Sequence, residues 1–171
     1  MIDADMLAEF VRESNGIEGI YAPPGKPLYD DHLLMAQDVI MGRPHGRLWT
    51  PRAIHGTIMQ SQLSALPGQY RRVDVRVGGS LKAPWRDVPV AMESLLRRTK
   101  GKPGGPCPAD WCWDLHNEFE HIHPFRDGNG RTGRLWLNAL RLARDLPWLT
   151  VYERDRRAYY QRIIDWEAEH V

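Results

Sequence analysis

A mainly α-helical fold carrying one short β-hairpin is what this chain of 171 residues predicts. Two observations carry that expectation. Apolar residues recur at helical spacing in one segment after another, whereas a single stretch, "YRRVDVRVGG" at 70–79, alternates valines with charged residues before a Gly-Gly pair. Pro and Gly punctuate the chain between these segments instead of gathering into one linker, and no internal repeat is present, so one domain over residues 1–171 is expected.

The elements follow in order. "DADMLAEFVRES" sets Met6, Leu7, Phe10 and Val11 on one helical face and should end near Gly16, before "YAPPGKP" makes continuation costly. A second helix is expected through "DDHLLMAQDVIMG", closed by Gly42. A third starts with Thr50 as N-cap and Pro51 at the first helical position, and turns Ile54, Ile58 and Leu63 inward. The alternation of Val73, Val75 and Val77 then predicts a strand and a turn. Helical spacing returns in "VPVAMESLLRR", gives way to a loop at "KGKPGGPCP", and resumes in "ADWCWDLHNEFEHI" with Trp111, Leu115, Phe119 and Ile122 on one face. Pro124 disfavours α geometry at His123, so that helix should stop there. From Arg131 a further helix fits Trp136, Ala139, Leu140 and Ala143, and "RRAYYQRIIDWEAE" makes the last.

Charge excludes some function classes. Lys and Arg (23) nearly balance Asp and Glu (22), so no whole-molecule field favours nucleic acid, and any anion site must be a local cluster. Two cysteines are too few for a secreted disulfide scaffold, the start lacks the basic and apolar regions of a signal peptide, and no apolar run approaches a membrane span. A cytoplasmic location, with no membrane partner, is the expectation.

The chemistry concentrates in "HPFRDGNGRTGR", His123 to Arg134, which falls on a tight loop between two helices. Gly128, Asn129 and Gly130 precede the second helix, where free backbone N–H groups and the macrodipole favour an anion and glycine allows close backbone approach. Arg131 and Arg134 lie three apart on the first turn, so both forks can reach the same phosphates. Asp127 is then an oxygen ligand for Mg²⁺ shared with phosphate and water, and His123 a base near neutral pH. Base, metal and phosphate cradle together point to phosphoryl or nucleotidyl transfer to a hydroxyl. Phe125 should point into the core as the anchor of the loop. Cys107, Cys112, His116, His121 and His123 fit no common zinc spacing, and a packed role suits His116.

This stretch resembles, at every specified position, the signature of the Fic family, H-x-F-x-[D/E]-G-N-G-R-x-x-R, and "LHNEFEHI" resembles the helix leading into it. The resemblance implies a helical bundle with a β-hairpin flap, and transfer of AMP from ATP to a Ser, Thr or Tyr hydroxyl of a target protein. It implies that His123 deprotonates the hydroxyl and that Asp127 holds Mg²⁺ between the α- and β-phosphates. The Gly128–Gly130 backbone and the Asn129 side chain would bind phosphate, and Arg131 and Arg134 the outer phosphates and pyrophosphate. Gly130 stands where phosphorylating relatives similar to the Doc toxin carry lysine.

"SNGIEG" resembles the family's inhibitory motif, [S/T]-x-x-x-E-[G/N], through Ser14, Glu18 and Gly19, on a segment of about 8–20. That resemblance implies a class with an N-terminal inhibitory helix in which Glu18 pairs with Arg134 and denies it to the γ-phosphate. The flap would span about 70–89, with Val75 and Val77 offering an edge on which a target segment adds as a strand. The competing view is that the valines only pack a small hairpin on the core. The remaining alternatives are another donor (UMP, GMP or phosphocholine), removal of AMP with Glu18 orienting a water, and a non-catalytic nucleotide-binding or antitoxin-like module. The target, whether another protein or a second copy in a homo-oligomer, is left open. Tyr70, Tyr152, Tyr159 and Tyr160 are all candidate acceptors for self-modification.

Overall fold

The structure is a computed structural model that describes residues 2–42, 49–101 and 107–171. It is mainly α. Helix α1 (Ala4–Ile17) opens on an Asp3 cap whose carboxylate accepts from the Met6 N–H at 2.9 Å, and α2 (Pro27–Gly42) begins with proline at its first position. Helix α3 (Pro51–Ile58) has the expected Thr50 cap, with Thr50 Oγ1 accepting from the Ala53 N–H. The hairpin follows as β1 (Arg76–Val77) and β2 (Ser80–Leu81), then α4 (Val88–Thr99), α5 (Pro108–Ile122), α6 (Asn129–Leu142) and α7 (Arg156–His170). Among the described residues no helix is long and apolar enough to cross a membrane.

The α5–α6 pair forms the centre. Phe119 and Ile122 of α5 and Leu135, Trp136 and Leu140 of α6 are buried, with Phe10 and Val11 of α1, Met35 of α2, and Ile54 and Ile58 of α3 packed around them. A smaller cluster joins Ile17 at the end of α1 to Tyr159 and Ile163 of α7. Helix α1 is therefore built into the core along its length, and its last turn sits against the helix that closes the far side of the site.

Four expectations need correction. Leu63 does not point inward: it is 76% exposed on a 3₁₀ turn (Leu63–Ala65), because α3 stops at Ile58 so that the chain can fold back. That return brings the Gly68 backbone against Gly56, and the Gly68 N–H donates to His55 Nδ1 at 2.9 Å. Ala143 is exposed as the cap residue after α6. Helix α6 begins at Asn129, two residues earlier than expected, with Gly128 before it in the left-handed region at φ 74°. The strand is also shorter than the valine alternation suggests. Only Arg76↔Leu81 and Val77↔Ser80 pair, around a turn in which Gly78 and Gly79 both have positive φ. Val73 and Val77 are exposed and Val75 half-buried, since residues 71–74 are held by other contacts than a ladder. The expected loop at 100–108 lies mostly outside the described residues.

Candidate active site

Helix α5 ends where Pro124 requires, and His123 follows it at φ 50°, ψ 60°. A non-glycine residue there carries on the order of 1–3 kcal/mol of backbone strain. The loop after it is fastened from inside. Phe125 is fully buried, stacked on His55 with ring centroids 3.8 Å apart, and the Asn129 side chain grips its main chain at both ends: Oδ1 accepts from the Phe125 N–H and Nδ2 donates to the Phe125 carbonyl, each at 2.9 Å. Asn129 is thus a staple for the loop. These two bonds use one N–H and one lone pair of the amide and fix how the side chain sits in the loop. His55, which no local pattern singled out, accepts from Gly68 at Nδ1, so its Nε2 donates to the Asp127 carbonyl at 3.0 Å. Burial pushes His55 down to about 4, and the ring stays neutral.

Gly128 has two reasons to be glycine. Its φ of 74° disfavours a Cβ, and a Cβ there would come within 2.6 Å of Met59 Sδ. Asp127 is exposed, and its Oδ1 accepts from the Gly128 N–H at 2.6 Å. One exposed carboxylate beside a backbone cradle suits Mg²⁺, which commonly takes one or two carboxylates and fills its shell with phosphate oxygens and water.

The arginines mark where an anion belongs. Arg131 and Arg134 are both about 1% exposed, yet Arg131 Nε and Nη1 and Arg134 Nη1 have no hydrogen-bond partner. Buried guanidinium donors are rarely left unsatisfied, so these atoms point to a missing acceptor. The other donors of Arg134 are taken by the end of α1: Nε donates to Ser14 Oγ at 2.9 Å, and Nη2 donates to the Ser14 carbonyl at 2.8 Å and to Glu18 Oε1 at 2.7 Å. Behind it, the Tyr159 ring lies under the guanidinium, and the Tyr159 hydroxyl meets His116 Nε2 at 3.0 Å while His116 Nδ1 donates to the Gly133 carbonyl. His116 is indeed a packed helix residue, neutral because burial lowers it to about 3.

The residues of the Ser14–Gly19 pattern acquire physical reasons. Glu18 caps α1, and Gly19 follows at φ 71° while the Ile20 N–H closes a six-to-one bond on the Asn15 carbonyl. Glycine or asparagine is what such a left-handed cap residue tolerates, so Gly19 fixes the direction in which Glu18 leaves the helix. The helix runs past Gly16 without a break. A Cβ at Gly16 would collide with the Glu153 carboxylate, so this glycine serves close packing. A Cβ at Gly130 would run into Glu18 Oε1, so the cradle has no room for a side chain while Glu18 is in place.

A cavity of about 450 Å³ joins these parts, with His123, Gly130, Arg134 and Glu18 on one side and Val77 and Lys82 of the hairpin on another. Tyr159 and Tyr160 of α7 line it too, which separates them from Tyr70 and Tyr152. Three residues without a sequence signal shape its electrostatics. Glu120 is buried one turn before His123, its Oε2 3.9 Å from His123 Nδ1, and desolvation raises it to about 7 against the pull of Arg134. Lys82, 6% exposed, pairs with Glu167 of α7 at 2.5 Å. His123 is pushed down to about 4, first by burial and then by the Lys82 charge, which leaves a neutral imidazole at pH 7.

The Fic/DOC family model matches residues 48–140, more than half of the chain. The chain belongs to the Fic/DOC family. A protein adenylyltransferase Fic from Drosophila melanogaster is 33% identical over 94 residues, covering 54% of this chain and 19% of the relative, and the Drosophila grimshawi protein of the same name is 32% identical. The chain thus spans about a fifth of the length of these curated Fic relatives. Among solved structures, a Fic-domain signalling protein from Bacteroides thetaiotaomicron superposes with a TM-score of 0.79 at 21% identity, over 93% of this chain and 70% of that one. Fic-1 from C. elegans gives 0.74 at 17% identity, over 99% and 61%. These likenesses establish the Fic fold, a helical bundle with a small hairpin.

Proposed function

We propose that this Fic domain is a protein adenylyltransferase, transferring AMP from MgATP to a Ser, Thr or Tyr hydroxyl of a target protein, and that Glu18 restrains it. The observation that carries the reading is the set of buried, partnerless guanidinium donors of Arg131 and Arg134 near the N-terminus of α6, with Arg134 and Gly130 lining one cavity with His123. The name printed for the Drosophila relatives, protein adenylyltransferase, supports it. Asp127 would hold Mg²⁺, which when bound neutralises phosphate charge as the leaving group departs.

The chain's own residues supply the rest. The hydroxyl oxygen forms its bond to the α-phosphorus, the bond from that phosphorus to the bridging oxygen breaks, and pyrophosphate leaves with the electron pair. The hydroxyl proton passes to His123, whose neutral ring at pH 7 is ready to accept it. Arg131 and Arg134 meet the charge on the outer phosphates. With Glu18 on Arg134, one fork of that clamp is occupied by a carboxylate of the chain itself, so the resting enzyme is slow. Val77 on the exposed hairpin is the surface on which a target segment docks, with half-buried Val75 beside it. The balanced net charge gives no reason to expect nucleic acid as a partner, and a cytoplasmic setting suits an enzyme that uses MgATP.

The test is intact-protein mass spectrometry of wild type, Glu18→Gly and Glu18→Gly/His123→Ala after incubation with Mg²⁺ and equimolar ATP, UTP, GTP and CTP, alone and with cell lysate. The expected result is a mass gain of one AMP, on the protein or on a lysate target, strongest for Glu18→Gly and absent without His123. A gain of UMP or GMP would change the donor, and no gain on any protein would leave a nucleotide-binding module.

A further inference from the structure

Arg71 is buried to 1% exposure, away from the phosphate site, and its nearest carboxylate is the exposed Asp74, 3.9 Å from Nη1. Its charge is instead met by main-chain oxygens from three places. Nε donates to the His123 carbonyl at 2.8 Å and Nη2 to the Ile122 carbonyl at 3.2 Å, the last carbonyls of α5, where the macrodipole is negative. Nη1 donates to the Val73 carbonyl at 2.7 Å, just before β1, and Nη2 also donates to the Ala83 carbonyl, just after β2. The Arg71 N–H completes the knot on the Pro124 carbonyl at 2.9 Å.

One planar guanidinium therefore spans both stems of the hairpin and the main chain of His123. No apolar residue of similar size could do this, and lysine offers a point charge where a rigid fork is used. The hairpin has a separate anchor in the Lys82–Glu167 pair, so it stays attached to α7 without Arg71. What the Arg71 side chain adds to its own N–H bond on Pro124 is a fork that fixes the distance and angle between both hairpin stems and the residue after α5.

We propose that Arg71 is a positioning residue that holds the hairpin and His123 in one register, so that a hydroxyl docked on the hairpin arrives where the imidazole can take its proton. This rests on the transferase reading above. Arg71 touches neither nucleotide nor target. Its loss should slow the transfer step and leave nucleotide binding alone.

The experiment compares Glu18→Gly with Glu18→Gly/Arg71→Lys and Glu18→Gly/Arg71→Met. Three quantities are read: the MgATP dissociation constant by calorimetry, the single-turnover rate of AMP transfer to whichever acceptor the Glu18→Gly protein modifies, and hydrogen exchange along the chain. Transfer should fall about 100-fold for Met and about tenfold for Lys, with MgATP affinity held within about twofold. Exchange should quicken in 72–83 and 123–128 while α1 and α6 keep their protection. Transfer within about twofold of the parent, or loss of rate and affinity by the same factor, would overturn the proposal. If Glu18→Gly itself transfers nothing, the transferase reading fails separately. Arg71 is then judged by exchange, and unchanged protection at both segments would overturn its role. Should the Met variant not fold, the Lys variant carries the same three measurements.

Discussion

His123→Ala should abolish AMP transfer, by at least about 100-fold for a lost general base, while MgATP binding stays measurable by calorimetry because the cradle and both arginines are untouched. Normal turnover in that variant would remove His123 from the mechanism. Gly128→Ala should destabilise the fold by roughly 2 kcal/mol, since the new Cβ meets both a positive φ and Met59, and thermal unfolding would show it. At this scale the sequence was most readable where the candidate site is contiguous: twelve residues hold the candidate base, the candidate metal ligand and the glycine turn that opens α6. It was least readable where partners are distant. Arg71 reaches His123 across 52 positions and His55 reaches Asp127 across 72, and neither arginine nor histidine had a local pattern to distinguish it. The grip of Asn129 on Phe125 was not legible, because only the folded loop brings that side chain onto the Phe125 main chain.

Among the elements, α1 carries the heaviest consequence. Leu7, Phe10 and Val11 belong to the main core and Ile17 to the cluster with Tyr159 and Ile163, so the helix cannot swing away without unfolding. If Glu18 restrains transfer as proposed, relief should accordingly act on Glu18 alone, beyond the last turn, with α1 in place. Glu18→Gly is expected to raise the transfer rate at least about tenfold and leave helicity by circular dichroism unchanged. A loss of helicity with that gain would show that the helix itself must move. Helix boundaries followed caps and prolines closely at Thr50 and Pro124, where a local residue decides them. They failed after α3 and in the hairpin, where a return of the chain to Gly56 and the Arg71 contacts override the periodicity.

For the whole molecule, His32, His55, His116 and His123 are all held neutral by burial, at about 3 to 4, whereas the unfolded chain binds protons at each near 6.5. Their folded values lie below the unfolded one, so stability is full above about pH 6.5 and is lost as pH falls toward 4. Glu120, raised to about 7, works the other way between pH 4.5 and 7 and offsets one of the four. The net slope is on the order of 3 kcal/mol per pH unit near pH 5.5, enough to unfold a marginally stable domain. Thermal melts from pH 7.5 to 5 should show a steep fall in Tm, and a flat profile would mean that these rings are protonated in the fold. The fold class was legible because helical spacing repeats along the chain. The acid sensitivity was not, since it depends on which histidines the packing seals.

On the proposed function, the contact between Glu18 and Arg134 makes the chain its own competitive ligand. A carboxylate fixed to a rigid helix 2.7 Å from its guanidinium is present at a high effective concentration that dilution cannot lower. Nucleotide binding is then weakened by the fraction of time the pair is closed: a pair shut about 99% of the time raises the apparent dissociation constant about 100-fold over the intrinsic value. Nucleotide supply and inhibitor strength are thereby written into one ratio, so this domain would answer to the cellular ATP level as well as to any signal that draws Glu18 aside.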